Sequence, residues 1–261
     1  MMTESKLQRI VIKVGTAVLT ENNNIAKERM MNLVTLIANL KKIYDVILVT
    51  SGAVGAGYSA LKLDKSKQIG RKALAAAGQP ILMSSYKQKF GIYDMDTAQI
   101  LLTEDDFDSR KRTIMFQEII NTHLNYDIVP IINENDITST PEQSFGDNDQ
   151  LSAHVACATD ADLLVILSDI DGYYDKNPKE FKDAKIIKEI TEIPKEALAQ
   201  DASANNAFAT GGIVTKLKAA DFLMKRGKKM FLCNGFYLSA AESYLFRGEH
   251  TLGTLFKPKD G

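Results

Sequence analysis

The sequence has no tryptophan, two cysteines, three histidines and six prolines in 261 residues. Cys157 and Cys233 stand far apart and make no C-x-x-C pair. So few thiols exclude a disulfide framework and point to a reducing, cytoplasmic setting. His123, His154 and His250 show none of the spacings of a metal centre, so no protein-held metal is expected and all three read as structural. There is no excess of one charge: 32 Lys+Arg against 33 Asp+Glu leave a net −1, which argues against a dedicated nucleic-acid surface. The opening stretch, MMTESKLQRIVIKVG, lacks a basic region followed by an apolar one and does not read as a secretory leader. The longest aliphatic stretches, such as LLVIL at 163–167, are too short to span a bilayer. G-x-x-x-x-G-K-[ST], a G-x-G-x-x-G after a strand, and the protein-kinase signatures are all missing. Walker NTPases, the usual dinucleotide folds and protein kinases are therefore disfavoured.

Apolar residues make up 45% of the chain and charged residues 25%, ordinary values for a globular protein long enough to bury a large core without staples. Short β-branched runs at 9–14, 45–50, 98–103, 128–133, 162–168 and 229–233 alternate with helical patterns at 26–43, 66–90, 109–124, 147–158 and 213–226. In the first helical pattern, Met30, Leu33, Val34, Ile37 and Leu40 fall on one face at spacings of three and four. The strand runs are continuously apolar, as strands covered on both faces are. Strand–helix alternation along the whole length predicts a doubly wound α/β domain. Segment 171–195 breaks the pattern; it is polar, carries turn signals and reads as a hairpin insertion.

In open α/β sheets, ligands bind beyond the carboxyl ends of the strands. The strand ends here read K-V-G-T at 13–16, T-S-G-A-V-G-A-G at 50–57, N-E-N-D at 133–136 with F-G-D-N-D at 145–149, and S-D-I-D-G at 168–172; A-T-G-G-I-V-T-K at 209–216 opens a late helix. Gly52, Gly55 and Gly57, and again Gly211 and Gly212, either let backbone N–H groups approach an anion or simply allow a tight turn. Lys13 is a sharper signal, because a charge inside RIVIKVG is either paired or snorkels from an edge. With Lys216 it would make a two-lysine clamp for a transferring phosphoryl group. Asp136, Asp147, Asp149, Asp169 and Asp171 also fall at strand ends or helix starts. They read as helix caps, with Asp147 the best candidate, or as groups that orient lysines, hold Mg²⁺ or bind an ammonium. Tyr173 and Tyr174 read as packing residues or nucleobase contacts.

KVGTAVLT, VTSGAVGAG, AAAGQP, INEND, FGDNDQLSA, LSDIDGYYDKNP and ATGGIVTKLKAA occur in this order, and the chain resembles the glutamate 5-kinases of the amino-acid-kinase superfamily from about residue 6 to 258. The GGxxTK and DGxYxxxP stretches are shared across that superfamily, whereas AAAGQP and GDNDxLSA are more specific to the glutamate 5-kinase branch. The resemblance implies a three-layer αβα sandwich with a mainly parallel central sheet. It implies one kinase domain over 1–261, with an acceptor lobe at about 1–160, a nucleotide lobe at about 161–261, and no C-terminal PUA domain. The implied reaction is ATP-dependent phosphorylation of the γ-carboxylate of L-glutamate, the first step of proline biosynthesis, with Mg²⁺. Ser51, Asp136 and Asn148 would bind glutamate; Lys13 and Lys216 would clamp phosphate, organised by Asp149. Gly15, Ser168, Asp169, Thr210, Gly211 and Gly212 would join the two lysines around the nucleotide. A homo-oligomer without membrane or nucleic-acid partners, and feedback inhibition by proline, are also implied.

The chemistry agrees with this assignment, since a side-chain carboxyl with a pKa of ~4.3 is already ionised at neutral pH and needs no general base. Two alternatives stand beside it. One is a superfamily kinase acting on N-acetylglutamate, aspartate, carbamate or UMP, against which Asp136 argues for a free α-amine. The other is a catalytically silent ligand sensor, against which the joint presence of Lys13, Lys216 and Asp149 speaks.

Overall fold

Runs such as RIVIKV and LLVILS are apolar on both sides of the strand, so they demand cover on both faces of a sheet. The computed structural model, which describes residues 8–140, 145, 147–199 and 212–259, provides it. The strands are β1 (Gln8–Val14), β2 (Thr20–Glu21), β3 (Asn24–Ile25), β4 (Tyr44–Val49), β5 (Thr97–Leu102), β6 (Val129–Glu134), β7 (Leu163–Ser168), β8 (Glu189–Ile190), β9 (Lys229–Asn234) and β10 (Thr254–Phe256). The helices are α1 (Thr16–Leu19), α2 (Lys27–Leu40), α3 (Ala53–Tyr58), α4 (Gln68–Phe90), α5 (Asp105–Asp108), α6 (Arg110–Asn125), α7 (Asn148–Ala158), α8 (Lys195–Ala199), α9 (Ile213–Met224) and α10 (Ser239–Arg247). Among the described residues no helix is long and apolar enough to cross a membrane.

Eight strands form one sheet in the order β5-β6-β4-β1-β7-β9-β10-β8. The six from β5 to β9 are parallel, and they are the six runs expected from the sequence. β10 reverses direction against β9, and β8 runs parallel to β10. The chain leaves β1 toward β4 on one side and later places β7 on the other. The carboxyl end of β1 is thus a switch point of the topology, where an open sheet leaves a crevice.

Alternate residues of each strand feed two cores. Ile10, Ile12 and Val14 pack with Val46, Leu48, Val165 and Leu167 under α2, α4 and α10. Val11 packs with Ile47, Val49, Leu164 and Ile166 under α6, α7 and α9. The result is a three-layer αβα sandwich. Strand parity puts Lys13 on the same side as Val11, toward α7 and α9.

Five helices follow the sequence pattern to within a few residues, but α3 does not. AVGAGY has poor helix propensity, and tertiary packing overrides it. A Cβ on Gly57 would lie 1.9 Å from the Leu74 carbonyl oxygen, and one on Gly78 would lie 1.8 Å from the Ala53 carbonyl oxygen. α3 and α4 therefore meet backbone to backbone, and the glycines of VTSGAVGAG and AAAGQP make that contact possible. α10 and the two- and three-residue strands were also not anticipated, the strands being too short for a period of two to show. Segment 171–195 does fold back as a hairpin, through a Tyr174–Ile186 antiparallel bridge and a bond from the Ile187 N–H to the Tyr173 carbonyl at 2.8 Å. It ends in β8, so it is stitched to the main sheet.

Candidate active site

Lys13 enters the crevice from the carboxyl end of β1 and is only 6% exposed. Its Nζ donates to Asp149 Oδ1 at 2.6 Å, and Lys216 Nζ donates to Asp149 Oδ2 at 3.1 Å. Asp149 is 2% exposed and Lys216 7%. The three charges come from the carboxyl end of β1 and from the first turns of α7 and α9. Thr215 Oγ1 adds a bond to Asp149 Oδ2 at 2.9 Å, and Lys216 also donates to the Gly212 carbonyl at 2.9 Å.

Burial pushes the Asp149 carboxyl up, but the ammonium groups of Lys13 and Lys216 outweigh it and hold the group below the usual carboxylate range. Two ammoniums share one buried carboxylate, and the Asp147 carboxyl stands near Lys13 as a second acidic group. Each ammonium has three donors, so N–H groups remain beyond those spent on Asp149. Such a site suits a polyanion.

Asp147 occupies the N-cap of α7, its Oδ1 accepting from the N–H groups of Asp149 at 2.8 Å and Gln150 at 3.2 Å. Capping thus belongs to Asp147, which frees Asp149 to bind the lysines. Burial, and then the negative charge of Asp149, raise the Asp147 carboxyl above its ordinary value.

The crevice opens into a cleft of about 460 Å³ lined by Lys13, Ser51, Gly52, Asn133, Asp136 and Asn148, with Lys65 and Arg71 also on its wall. Gly52 has φ +100° at the N-cap of α3, a conformation that favours glycine, and Ala53, Val54 and Gly55 follow it along the wall. Asn148 Nδ2 donates to Ser51 Oγ at 3.1 Å and to Asn133 Oδ1 at 2.8 Å. Asp136 is half-buried farther along. Burial raises its carboxyl above the ordinary range, against the pull of the nearby Arg71 and Lys72. Lys72 also donates to the carbonyls of Ile137 and Ser139, at 3.2 and 2.7 Å, clasping the turn that carries Asp136.

Of the residues expected around a nucleotide, Gly15 lies beside Lys13, where a Cβ would stand 3.9 Å from Nζ, and its N–H donates to the Leu167 carbonyl at 3.0 Å. Ser168 ends β7, buried, with Oγ donating to the exposed Asp169 at 3.0 Å. Gly212 caps α9 under Lys216. Thr210 and Gly211 lie outside the described residues. A second cleft of about 400 Å³, lined by Tyr173, Tyr174, Ile187, Ile190, Pro194 and Leu217, adjoins α9.

His154 packs instead of ligating: it stacks on Phe222 at 4.3 Å, with Phe107 and Phe145 at its edges. Burial, then Arg226, lower it to about 4. Sequence reading passed over Thr215, Asn133, Arg71, Lys72 and Gln79, whose Oε1 accepts from Asn133 Nδ2 at 2.9 Å. Thr215 precedes Lys216 in the T-K pair, Asn133 opens N-E-N-D and Gln79 lies in AAAGQP, so three of the five carried a signal.

Residues 8–234 match the amino acid kinase family. A glutamate 5-kinase of Wolinella succinogenes is 56% identical over 255 residues, covering 96% of this chain and 98% of the relative. One from Leishmania donovani is 50% identical over 250 residues, covering 96% and 95%. Among solved structures, an isopentenyl phosphate kinase at 16% identity superposes with a TM-score of 0.66 over 95% of this chain and all of that one, a likeness of fold. The chain is thus a kinase of the amino acid kinase fold and belongs to the glutamate 5-kinase family.

Proposed function

We propose that this chain transfers the γ-phosphoryl group of ATP to the γ-carboxylate of L-glutamate, giving γ-glutamyl phosphate and ADP for the first step of proline synthesis. The observation that carries the reading is the buried Lys13–Asp149–Lys216 triad, whose Lys13 lines the same cleft as Asp136. Phosphate at the lysines and an ammonium at Asp136 would set the γ-carboxylate between them. The family membership agrees with it.

The nucleophile is an ionised carboxylate, so the chain's task is positioning and charge stabilisation. Lys13 and Lys216 reduce the repulsion between carboxylate and phosphate and follow the charge as it moves to the leaving oxygen. Asp149 fixes where both ammoniums stand. Asp136 would take the α-ammonium, and Ser51 and Asn148 would position the substrate's oxygens. The ATP base goes to the cleft beside Tyr173 and Tyr174. In this reading residues before about 160 hold the acceptor, and those from about 161 hold the nucleotide.

Mg²⁺ fits as a companion of the nucleotide. Both oxygens of Asp149 are taken by Lys13, Lys216 and Thr215, and no group of three acidic, histidine or cysteine side chains lies together among the described residues. Mg²⁺ on phosphates asks for only one or two carboxylates. Asp147, on the cleft wall, is the one that would face it. The ion would supply neutralisation of phosphate charge. Proline has an ammonium and an α-carboxylate but no γ-carboxylate, and it would compete with glutamate for the Asp136 end. A cytoplasmic homo-oligomer belongs to the same reading.

Lys216→Ala tests it. ADP formation at saturating glutamate should fall by about 10³-fold, in line with loss of an electrostatic contact to the transition state, with glutamate KM little changed. Turnover equal to the wild type would remove Lys216 from the chemistry and the reading with it.

A further inference from the structure

Among the described residues, the cleft wall carries three cations, Lys13, Lys65 and Arg71, and three carboxyl groups, Glu134, Asp136 and Asp147. Four of the six are engaged within the protein. Lys13 holds Asp149, and Lys65 Nζ donates to Asn23 Oδ1 and lies 4.0 Å from the centre of the Tyr58 ring. Asp147 caps α7, and Glu134 Oε1 accepts from the Phe145 N–H at 3.2 Å. The Arg71 guanidinium and the Asp136 carboxyl are left, and among the described residues neither makes a side-chain hydrogen bond or an ion pair. They stand close enough for Arg71 to pull on the Asp136 carboxyl, yet they do not close on each other. The cleft therefore has a gap with one positive and one negative side.

The backbone on both sides of the gap is held. Lys72, the next residue of α4, donates to the Ile137 and Ser139 carbonyls, which ties the start of α4 to the turn carrying Asp136. A Cβ on Gly70 would lie 2.3 Å from the Asp64 carbonyl oxygen, so the same helix start is seated closely on the chain before it. Only the long, exposed Arg71 side chain has freedom to meet a ligand. An α-amino acid carries an ammonium and a carboxylate on one carbon, and so presents both signs to such a gap at once. We propose that Arg71 is a specificity-determining residue that takes the α-carboxylate of the amino-acid substrate while Asp136 takes its ammonium. This rests on the glutamate reading given above and adds to it a partner for the second carboxylate. The guanidinium fork matches a carboxylate with two parallel N–H bonds, which an ammonium does not. With the α-carboxylate held at Arg71, only the γ-carboxylate is left to face phosphate at Lys13.

L-Isoglutamine, the α-amide of glutamate, keeps the ammonium and the γ-carboxylate but has no α-carboxylate, so it isolates the contact. The wild type should prefer L-glutamate to L-isoglutamine about tenfold in kcat/KM for ADP formation, in line with one charged hydrogen bond at an exposed site. Arg71→Met should lower the glutamate value about tenfold and leave isoglutamine and the ATP KM unchanged, so that the preference disappears. Arg71→Lys, which keeps the charge without the fork, should retain part of it. A preference that survives in Arg71→Met, or an equal loss for both compounds, would overturn the proposal. Calorimetric titration of both compounds without ATP reads the same contact apart from catalysis. Binding that favours L-glutamate in the wild type and not in Arg71→Met, with no turnover of either, would refute the kinase reading and uphold the Arg71 contact.

Discussion

Replacing Asp149 by Asn removes the one negative charge between two buried ammoniums and changes the shape of the site very little. The magnitude follows from the geometry. Asp149 holds Lys13 at 2.6 Å and Lys216 at 3.1 Å. At an effective dielectric constant of about 20, each contact is worth on the order of 5 kcal/mol of Coulomb attraction, most of it offset by desolvation of the three ions. Breaking such a cluster by removing one partner usually costs about 3–5 kcal/mol, because the remaining buried charges lose their hydrogen-bonded counter-ion. For a domain of this size that is a fall in Tm on the order of 10 °C. The Asp149 carboxyl is held below its ordinary value in the folded chain, so as pH falls the unfolded chain takes up the proton first. The stabilisation is complete above about pH 4 and is lost as pH drops through the native value. Thermal melts at pH 7 should show the full gap between Asp149→Asn and wild type, narrowing below pH 4. Inorganic phosphate should raise the Tm of the variant more than that of the wild type, by supplying the missing negative charge. A variant that melts with the wild type at pH 7, or a gap that widens as pH falls, would refute the buried triad.

Asp136→Asn should separate stability from binding. Burial raises the Asp136 carboxyl, so the charged form is disfavoured there; the neutral variant should melt no lower than the wild type at pH 7, while glutamate KM rises at least tenfold for loss of a charged hydrogen bond. A lower Tm with unaltered KM would make Asp136 a structural residue. Gly78→Ala should be strongly destabilising, by more than about 3 kcal/mol, because the new methyl group meets backbone at 1.8 Å and no side chain can give way. Denaturant unfolding measures it, and a shift below 1 kcal/mol would show that α3 and α4 part easily.

Much of this fold was legible because parallel strands buried on both faces leave continuous apolar runs, and all six such runs became strands. Lys13 was legible for the same reason, as a charge inside RIVIKV that has few stable explanations. The glycines of VTSGAVGAG were harder. Gly52 does turn the backbone at the cleft, but Gly57 serves a contact with α4, and nothing local distinguishes a glycine that approaches a ligand from one that approaches another helix. Asp147 and Asp149 lie two residues apart in FGDND and either could cap α7; the sequence favoured Asp147 as the cap and the family resemblance set Asp149 beside the lysines, and the hydrogen bonds put each in that place. The orientation of Asn148 was beyond the sequence altogether. It depends on the Thr50 carbonyl, 98 residues away, and on Asn133, bonds with no periodicity.

The central claim is that this cleft carries a free amino acid's side-chain carboxylate to the phosphate of ATP. An acyl-phosphate trap tests it most directly. The protein is incubated with Mg·ATP and hydroxylamine in the presence of L-glutamate, N-acetyl-L-glutamate or L-aspartate, and hydroxamate is measured. Product with L-glutamate alone is expected, since only it offers an ammonium to Asp136 and a carboxylate at the right reach. Product with N-acetylglutamate or aspartate instead, or with none of the three, would contradict the account.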